Sequence, residues 1–291
     1  MNGWILYDVL QYNKNKWFAD QLLKESLKYA DVKIVLVEQL QFGIKDGMHF
    51  FQIEGIETPC PDFVVCRTIF PILSFALEAS GAKVFNNSET ARICNDKRLT
   101  YSYVCSPLIP TVETFFHSKR FSNLSKESTI SFPKIIKSSS GHGGNEVFLV
   151  NDTFEYQKGL SNMCPTGYVE QSICHPFGKD LRVYVLNDNI IASILRSSEN
   201  YKSNYSIGGQ ASVYHLSTQE QMLVKRVIEL IPAKMDFVGI DFLLSDDGLL
   251  FNEIEDVVGT RMLYDVMNID VAEIFIEYVI RKAKEYVFNK E

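Results

Sequence analysis

Asp241, Glu253 and Glu255 stand in two short apolar runs, Gly239-Ile240-Asp241-Phe242-Leu243 and Phe251-Asn252-Glu253-Ile254-Glu255, joined through the polar turn Ser245-Asp246-Asp247-Gly248. Strand alternation puts Glu253 and Glu255 on one face, and pairing across the turn brings Asp241 near them. Three acids on one face repel one another unless a cation lies between them. Oxygen ligands at that density suit Mg²⁺, and Mg²⁺ usually accompanies bound phosphate. The alternative is an ordinary acidic hairpin with solvated side chains.

A second segment speaks to the phosphate directly. Ser138-Ser139-Ser140-Gly141-His142-Gly143-Gly144-Asn145 lies between two strand patterns, with Lys137 closing the first. Glycines there let backbone N–H groups close around phosphate oxygens. No Gly-Lys-Ser/Thr follows, so this is not a Walker A loop, and a flexible hairpin loop is the competing reading. Lys97 sits on a helical stretch, where a surface lysine is the alternative. Tyr168-Val169-Glu170-Gln171-Ser172-Ile173 reads as an edge strand whose unpaired backbone groups suit an adenine edge. Asp180 then stands where a carboxylate can shape a nucleotide pocket. Arg182 and Arg196 lie on the two strands of a hairpin turned at Asn187-Asp188-Asn189, placed to clamp phosphate or carboxylate bidentately.

The elements that must position these groups fall into blocks. Residues 1–88 alternate strand patterns (4–10, 32–38, 63–67) with helical ones (14–29, 70–79), which implies a small parallel sheet. The first strand is followed by no glycine-rich turn, which excludes a dinucleotide fingerprint. Ser88 caps a helix expected to run to about residue 105, before Pro107. Residues 134–137, 146–150 and 168–172 read as strands, residues 181–186 and 190–196 as the arginine hairpin, and residues 218–231 and 271–287 as helices. The chain of 291 residues is 46% hydrophobic and 22% charged, a globular composition, and its net charge of −7 argues against a broad nucleic-acid surface. Six cysteines form no C-x-x-C pair, no apolar run reaches membrane-spanning length, and no basic leader precedes residues 4–10. The expectation is a cytoplasmic protein without a membrane or nucleic-acid partner.

Taken in order, these pieces resemble the ATP-grasp superfamily, and most closely its RimK-like carboxylate–amine ligases. The matching residues are Ala91-Arg92 with Asn95-Asp96-Lys97, Ile135-Ile136-Lys137 with the Ser/Gly loop, Val169-Glu170-Gln171, Gly178-Lys179-Asp180-Leu181-Arg182, Ala192 with Arg196, Ser203-Asn204 with Gly208-Gly209, Gly239-Ile240-Asp241 and Asn252-Glu253-Ile254-Glu255. The resemblance implies an α/β chain with α+β lobes: an N-terminal parallel-sheet domain (1–88), a central lobe with a phosphate lid (89–172) and a C-terminal lobe with the metal site (173–291). It implies that Lys97 and Lys137 contact ATP phosphates, that Ser140, Gly141, His142 and Gly143 belong to the lid, and that Gln171, Ser172 and Ile173 form an adenine-reading hinge. It assigns Asp180 to the nucleotide site, Lys202 and Asn204 to the triphosphate, and Asp241, Glu253 and Glu255 to two Mg²⁺ ions, with Mn²⁺ as a substitute. Arg182 and Arg196 would orient an acyl-phosphate and the tetrahedral intermediate.

The sequence departs from the family twice. The last motif usually reads Glu-x-Asn, and Glu255 replaces the Asn, adding a negative charge. The segment that follows, Asp256-Val257-Val258-Gly259 with Arg261, replaces a small residue, Ser and Pro before the glycine. The expected activity is ATP-dependent joining of a carboxylate, as an amino acid or peptide terminus, to an amine through an acyl-phosphate. Small-molecule or peptide substrates and a homo-oligomer are the expected partners. A fold-retaining nucleotide-binding protein without turnover is the alternative, and the presence of both lysines and all three acids favours the enzyme.

Overall fold

The computed structural model describes residues 1–124, 130–144, 146–163, 166–198 and 210–289. It contains two compact units, Met1–Arg92 with Ala233–Val238 and Asp256–Glu291, and Ile93–Pro232 with Gly239–Glu255.

In the first unit, strands β1 (Asn2–Tyr7), β2 (Asp31–Leu36), β6 (Phe63–Cys66) and β7 (Lys83–Phe85) form the expected parallel sheet in the order β2-β1-β6-β7. Ile5, Leu6, Phe63, Val64 and Val65 are fully buried, as near-continuous apolar strands covered on both faces must be. β1 stops at Tyr7, short of the expected residue 10. Asp8 is extended there, and its carboxylate accepts from Gln11 N at 2.8 Å to start the helix Val9–Lys14. Gly3 permits the close pairing of β1 with β6, since a Cβ there would fall 2.3 Å from the Phe63 ring. The helix Lys16–Ser26 buries Phe18, Ala19 and Leu22 and packs against the C-terminal helix Val271–Phe288. A meander of β3 (Leu40–Lys45), β4 (Met48–Ile53) and β5 (Ile56–Glu57) was not expected. Its first turn, Asp46-Gly47, has both residues left-handed, which is the Asp-Gly hairpin signature.

In the second unit, β8 (Thr114–His117), β9 (Lys134–Ser138), β10 (Val147–Val150) and β11 (Tyr168–Gln171) make an antiparallel sheet ordered β10-β9-β11-β8. A five-stranded sheet follows, ordered β14-β13-β12-β15-β16, from β12 (Lys179–Leu186), β13 (Asn189–Ser197), β14 (Gln210–Val213), β15 (Phe237–Ser245) and β16 (Gly248–Glu255). Both expected hairpins form. Asn187 and Asp188 take left-handed φ in one turn, and Gly248 has φ 118° at the end of the other. Among the described residues no helix is long and apolar enough to cross a membrane.

Candidate active site

The β15–β16 hairpin sets Asp241 opposite Glu253 and Gly239 opposite Glu255, with a register irregularity after Asp241. One ligand oxygen from each of Asp241, Glu253 and Glu255 lies within 4.8 Å of the others, so the three acids converge as the alternation required. The next strands explain how they are tolerated. On β12, Asp180 and Arg182 point to one face, and Arg196 on β13 pairs directly opposite Asp180. Arg182 Nε and Nη2 donate to the two oxygens of Asp241 at 2.8 and 2.7 Å, and Nη2 lies 2.7 Å from Glu255. Arg196 donates to both oxygens of Asp180 and, at 2.7 Å, to Asp241 Oδ2. The two arginines are the counter-charges that hold the acids.

Asp241 is fully buried. Burial favours its neutral form, but Arg182 and Arg196 outweigh it and hold the carboxyl well below the usual range. Burial also opposes ionisation of Glu253, where Lys97 tips the balance downward. At Glu255 burial prevails over Arg182, reinforced by Asp241 and Glu253, and pushes the carboxyl up. Like charges in one site divide in this way.

Lys97 comes from a helix break. The expected single helix over 88–105 is two, Ser88–Cys94 and Lys97–Val104, because Asp96 is extended and caps the second through Arg98 N at 3.0 Å. That restart fixes Lys97 at a first turn, with Nζ donating to Gly141 O at 2.7 Å and 3.2 Å from Glu253. Lys137 Nζ donates to Asn252 Oδ1 at 2.8 Å. Burial pulls Lys137 down to about 8, a drop that Lys97 deepens and Glu253 opposes. Among the described residues it has no carboxylate within ion-pair distance, so its charge is available to an anion.

The glycine loop is anchored at its base and open at its tip. Lys97 N donates to Ser139 O at 2.8 Å, and Ser140 Oγ lies 3.4 Å from Thr166 Oγ1. Gly143 and Gly144 both take left-handed φ, and His142 is exposed. One expectation is corrected: β11 is not an edge strand. Gln171 pairs with Thr114 on one side and Ile135 on the other, and Ser172 N donates to Glu113 O at 3.1 Å. β8 covers the edge the sequence left open. The Gln171 side chain donates to Tyr101 Oη and Thr114 Oγ1 at 2.7 and 2.9 Å, two partners unforeseen because they lie 70 and 57 residues away. Among the described residues, Ser172 O and the backbone groups of Ile173 make no backbone hydrogen bond. Lys202 and Asn204 lie outside the described residues.

The donors fit a hard dication. Asp241 Oδ2 receives two N–H groups and Oδ1 one. An ionised carboxylate offers about four lone-pair sites, so one remains on Oδ1. Glu253 and Glu255 are both partly open, and the donor set is all oxygen.

Residues 109–279 match the RimK-like ATP-grasp domain. The chain belongs to the RimK-like ATP-grasp family. It is 29% identical over 281 residues to N-acetylaspartylglutamate synthase A of Homo sapiens, covering 89% of this chain and 70% of that one. It is 27% identical over 206 residues to a probable alpha-L-glutamate ligase of Haemophilus ducreyi, covering 69% and 67%. The fold is similar to that of the ATP-grasp ligase PsnB, solved with a phosphomimetic variant of its minimal precursor, Mg and ADP, with a TM-score of 0.65 at 12% identity over 96% of this chain and 97% of that one. Membership places this protein among the ATP-grasp ligases.

Proposed function

We propose that this RimK-like enzyme joins a carboxylate to an amine with cleavage of ATP to ADP and phosphate. The carrying observation is the facing of two lysines and an acid trio in one unit: Lys97 and Lys137 against Asp241, Glu253 and Glu255. A carboxylate oxygen attacks the γ-phosphorus and ADP leaves. The amine then attacks the acyl carbon, the C–O bond to phosphate breaks, and the amine loses its proton. Lys97 and Lys137 neutralise charge spreading over the transferred group. Asp241, Glu253 and Glu255 would hold one or two Mg²⁺ ions, or Mn²⁺, which when bound neutralise phosphate oxygens. Arg182 and Arg196 keep Asp241 ionised and orient the acyl-phosphate and the tetrahedral intermediate.

In this reading Ser140, Gly141, His142 and Gly143 close over the phosphates and exclude the water that would hydrolyse the intermediate. Ser172 and Ile173 carry the adenine edge of the hinge that Gln171 holds in place through Tyr101 and Thr114, Asp180 borders the nucleotide, and Lys202 and Asn204 reach the triphosphate. The functional lobes are 1–88, 89–172 and 173–291. Substrates are an amino acid or a peptide terminus, in keeping with relatives named as a synthase of N-acetylaspartylglutamate and a glutamate ligase. The test is ADP and phosphate release from Mg²⁺-ATP across a matrix of acids and amines. A pair that gives stoichiometric ADP, phosphate and amide supports the proposal. Nucleotide binding without turnover on any pair refutes it.

A further inference from the structure

The hairpin that carries the acid trio is tied at its open end by one buried side chain. Asn86 directly follows β7 and is only 5% exposed. Its Nδ2 donates to Phe237 O and to Asp256 O, each at 2.8 Å, and its Oδ1 accepts from Asp236 N at 2.7 Å and Phe237 N at 2.9 Å. A primary amide has two N–H donors and one oxygen with two lone pairs, so its whole capacity is used, and only one orientation of the amide satisfies it. Every one of these partners belongs to the first unit. Phe237 opens β15 and Asp256 is the residue after β16, so the chain enters and leaves the acid hairpin through the two segments that Asn86 holds. The neighbouring residues secure the same approach: Asn87 Nδ2 and Thr90 Oγ1 both donate to Lys234 O, at 2.7 and 2.9 Å.

The acids are not equally secure in the ladder. Asp241 and Glu253 pair inside the hairpin, whereas Glu255 stands opposite Gly239 in its outermost pair. The ends of a ladder open most readily. Glu255 also has reason to leave. Its ligand oxygen is within 4.8 Å of those of Asp241 and Glu253, and burial together with those two charges works against its ionised form. Arg182 grips its carboxylate at 2.7 Å, but a side-chain ion pair does not fix the backbone that carries it. Asp256 is the next residue along, and with its carbonyl held by Asn86 the Glu255 backbone cannot swing outward to relieve the repulsion.

We propose that Asn86 is a positioning residue for metal binding: by joining Phe237 to Asp256 it keeps the open end of the hairpin paired and so keeps Glu255 in the acid trio. The inference deepens the ligase reading and rests on it for the role of the acids. A purely structural asparagine would lower stability when replaced, as any buried amide with these partners would. A positioning asparagine does more, because its effect on the metal runs through Glu255 and disappears when Glu255 is gone.

The experiment is a double-mutant cycle on the whole protein, read by Mg²⁺ titration of ADP binding and by chemical denaturation in EDTA. Asn86→Ala is expected to weaken Mg²⁺ about 3- to 10-fold, the scale of one backbone hydrogen bond. Asn86→Asp, which keeps the acceptor and loses the donors to the two carbonyls, should do the same. In a Glu255→Ala background, Asn86→Ala still lowers stability but moves Mg²⁺ affinity by less than about twofold. Leu22→Ala, a core change in the same unit, lowers stability and leaves Mg²⁺ affinity unchanged. In the unaltered, metal-free protein, amide hydrogen exchange over residues 252–256 should be as slow as over residues 239–243. An unmoved Mg²⁺ titration in Asn86→Ala overturns the proposal, as does an undiminished effect in the Glu255→Ala background or an equal weakening by Leu22→Ala. Fast exchange over residues 252–256 overturns it even if no Asn86 variant folds. ADP binding by the unaltered protein that ignores Mg²⁺ would overturn the ligase reading and the proposal together, whereas the other outcomes sink the proposal alone.

Discussion

Glu253→Gln separates the metal site from the fold, because the forces on this carboxylate nearly balance without metal. Its ligand oxygen is within 4.8 Å of those of Asp241 and Glu255. At an effective dielectric constant of about 20, each repulsion is about 3.5 kcal/mol, about 7 for the pair. Lys97 at 3.2 Å opposes them with about 5 kcal/mol on the same scale. Lys137 and Arg182 add smaller attractions, and the carboxyl is held below its usual range despite its burial. Neutralising Glu253 therefore costs the metal-free protein only about 1 kcal/mol, a melting shift of about 2–4 °C. The bound dication is different. It would sit about 2.1 Å from a ligand oxygen, where even the dielectric constant of water leaves about 4 kcal/mol, nearly three decades in affinity. The assay is melting in EDTA and a Mg²⁺ titration of nucleotide binding, run on both proteins with ADP release. An unshifted Mg²⁺ titration with normal ADP release would refute the reasoning, and so would a drop of more than about 10 °C in EDTA.

Further predictions follow from the same geometry. Arg196→Met leaves Asp180 and Asp241 buried with fewer partners, and chemical denaturation should show a loss of about 3–5 kcal/mol. Lys137 is held down to about 8. Nucleotide binding should therefore take up a proton near that pH and weaken as pH rises through it, seen by calorimetry in buffers of different ionisation enthalpy; the nucleotide-free fold should gain stability between about pH 8 and pH 10.5. Burial lowers His117 below 6.5, although Glu170 opposes it. The unfolded chain then binds the proton more readily, so stability is full above pH 6.5 and falls below it, and His117→Gln should flatten that acid limb. Gln171→Leu removes one hydrogen bond each from the Tyr101 hydroxyl and Thr114 Oγ1, which keep Phe251 O and Val112 O as partners, and should cost about 1–3 kcal/mol in denaturant while ADP affinity stays within about threefold.

What could be read from the chain was local. The acid hairpin was legible because Asp246-Asp247-Gly248 marks the turn and strand alternation fixes the face of Glu253 and Glu255. The parallel sheet was legible in the apolar runs of β1 and β6. Three misses were also local and carried signals: Asp46-Gly47 announced the β3–β4 hairpin, and Asp8 and Asp96 announced helix starts that shorten β1 and split the helix at Lys97. The remaining misses were non-local. Nothing in sequence spacing pairs Arg182 with Asp241 59 residues on, or Arg67 with Val258 191 residues on. Nor does it show that β8 would cover the edge of β11. Those relations arise from sheet order and tertiary packing, which periodicity does not encode.

The most direct measurement is anomalous diffraction from crystals soaked with Mn²⁺ and a non-hydrolysable ATP analogue, since Mn²⁺ accepts the same oxygen ligands as Mg²⁺. The expected result is a Mn²⁺ peak bound by Glu253, Glu255 and the free edge of Asp241, with the analogue phosphates against Lys97 and Lys137. An ordered analogue with its metal away from these acids, or bound without them, would contradict it.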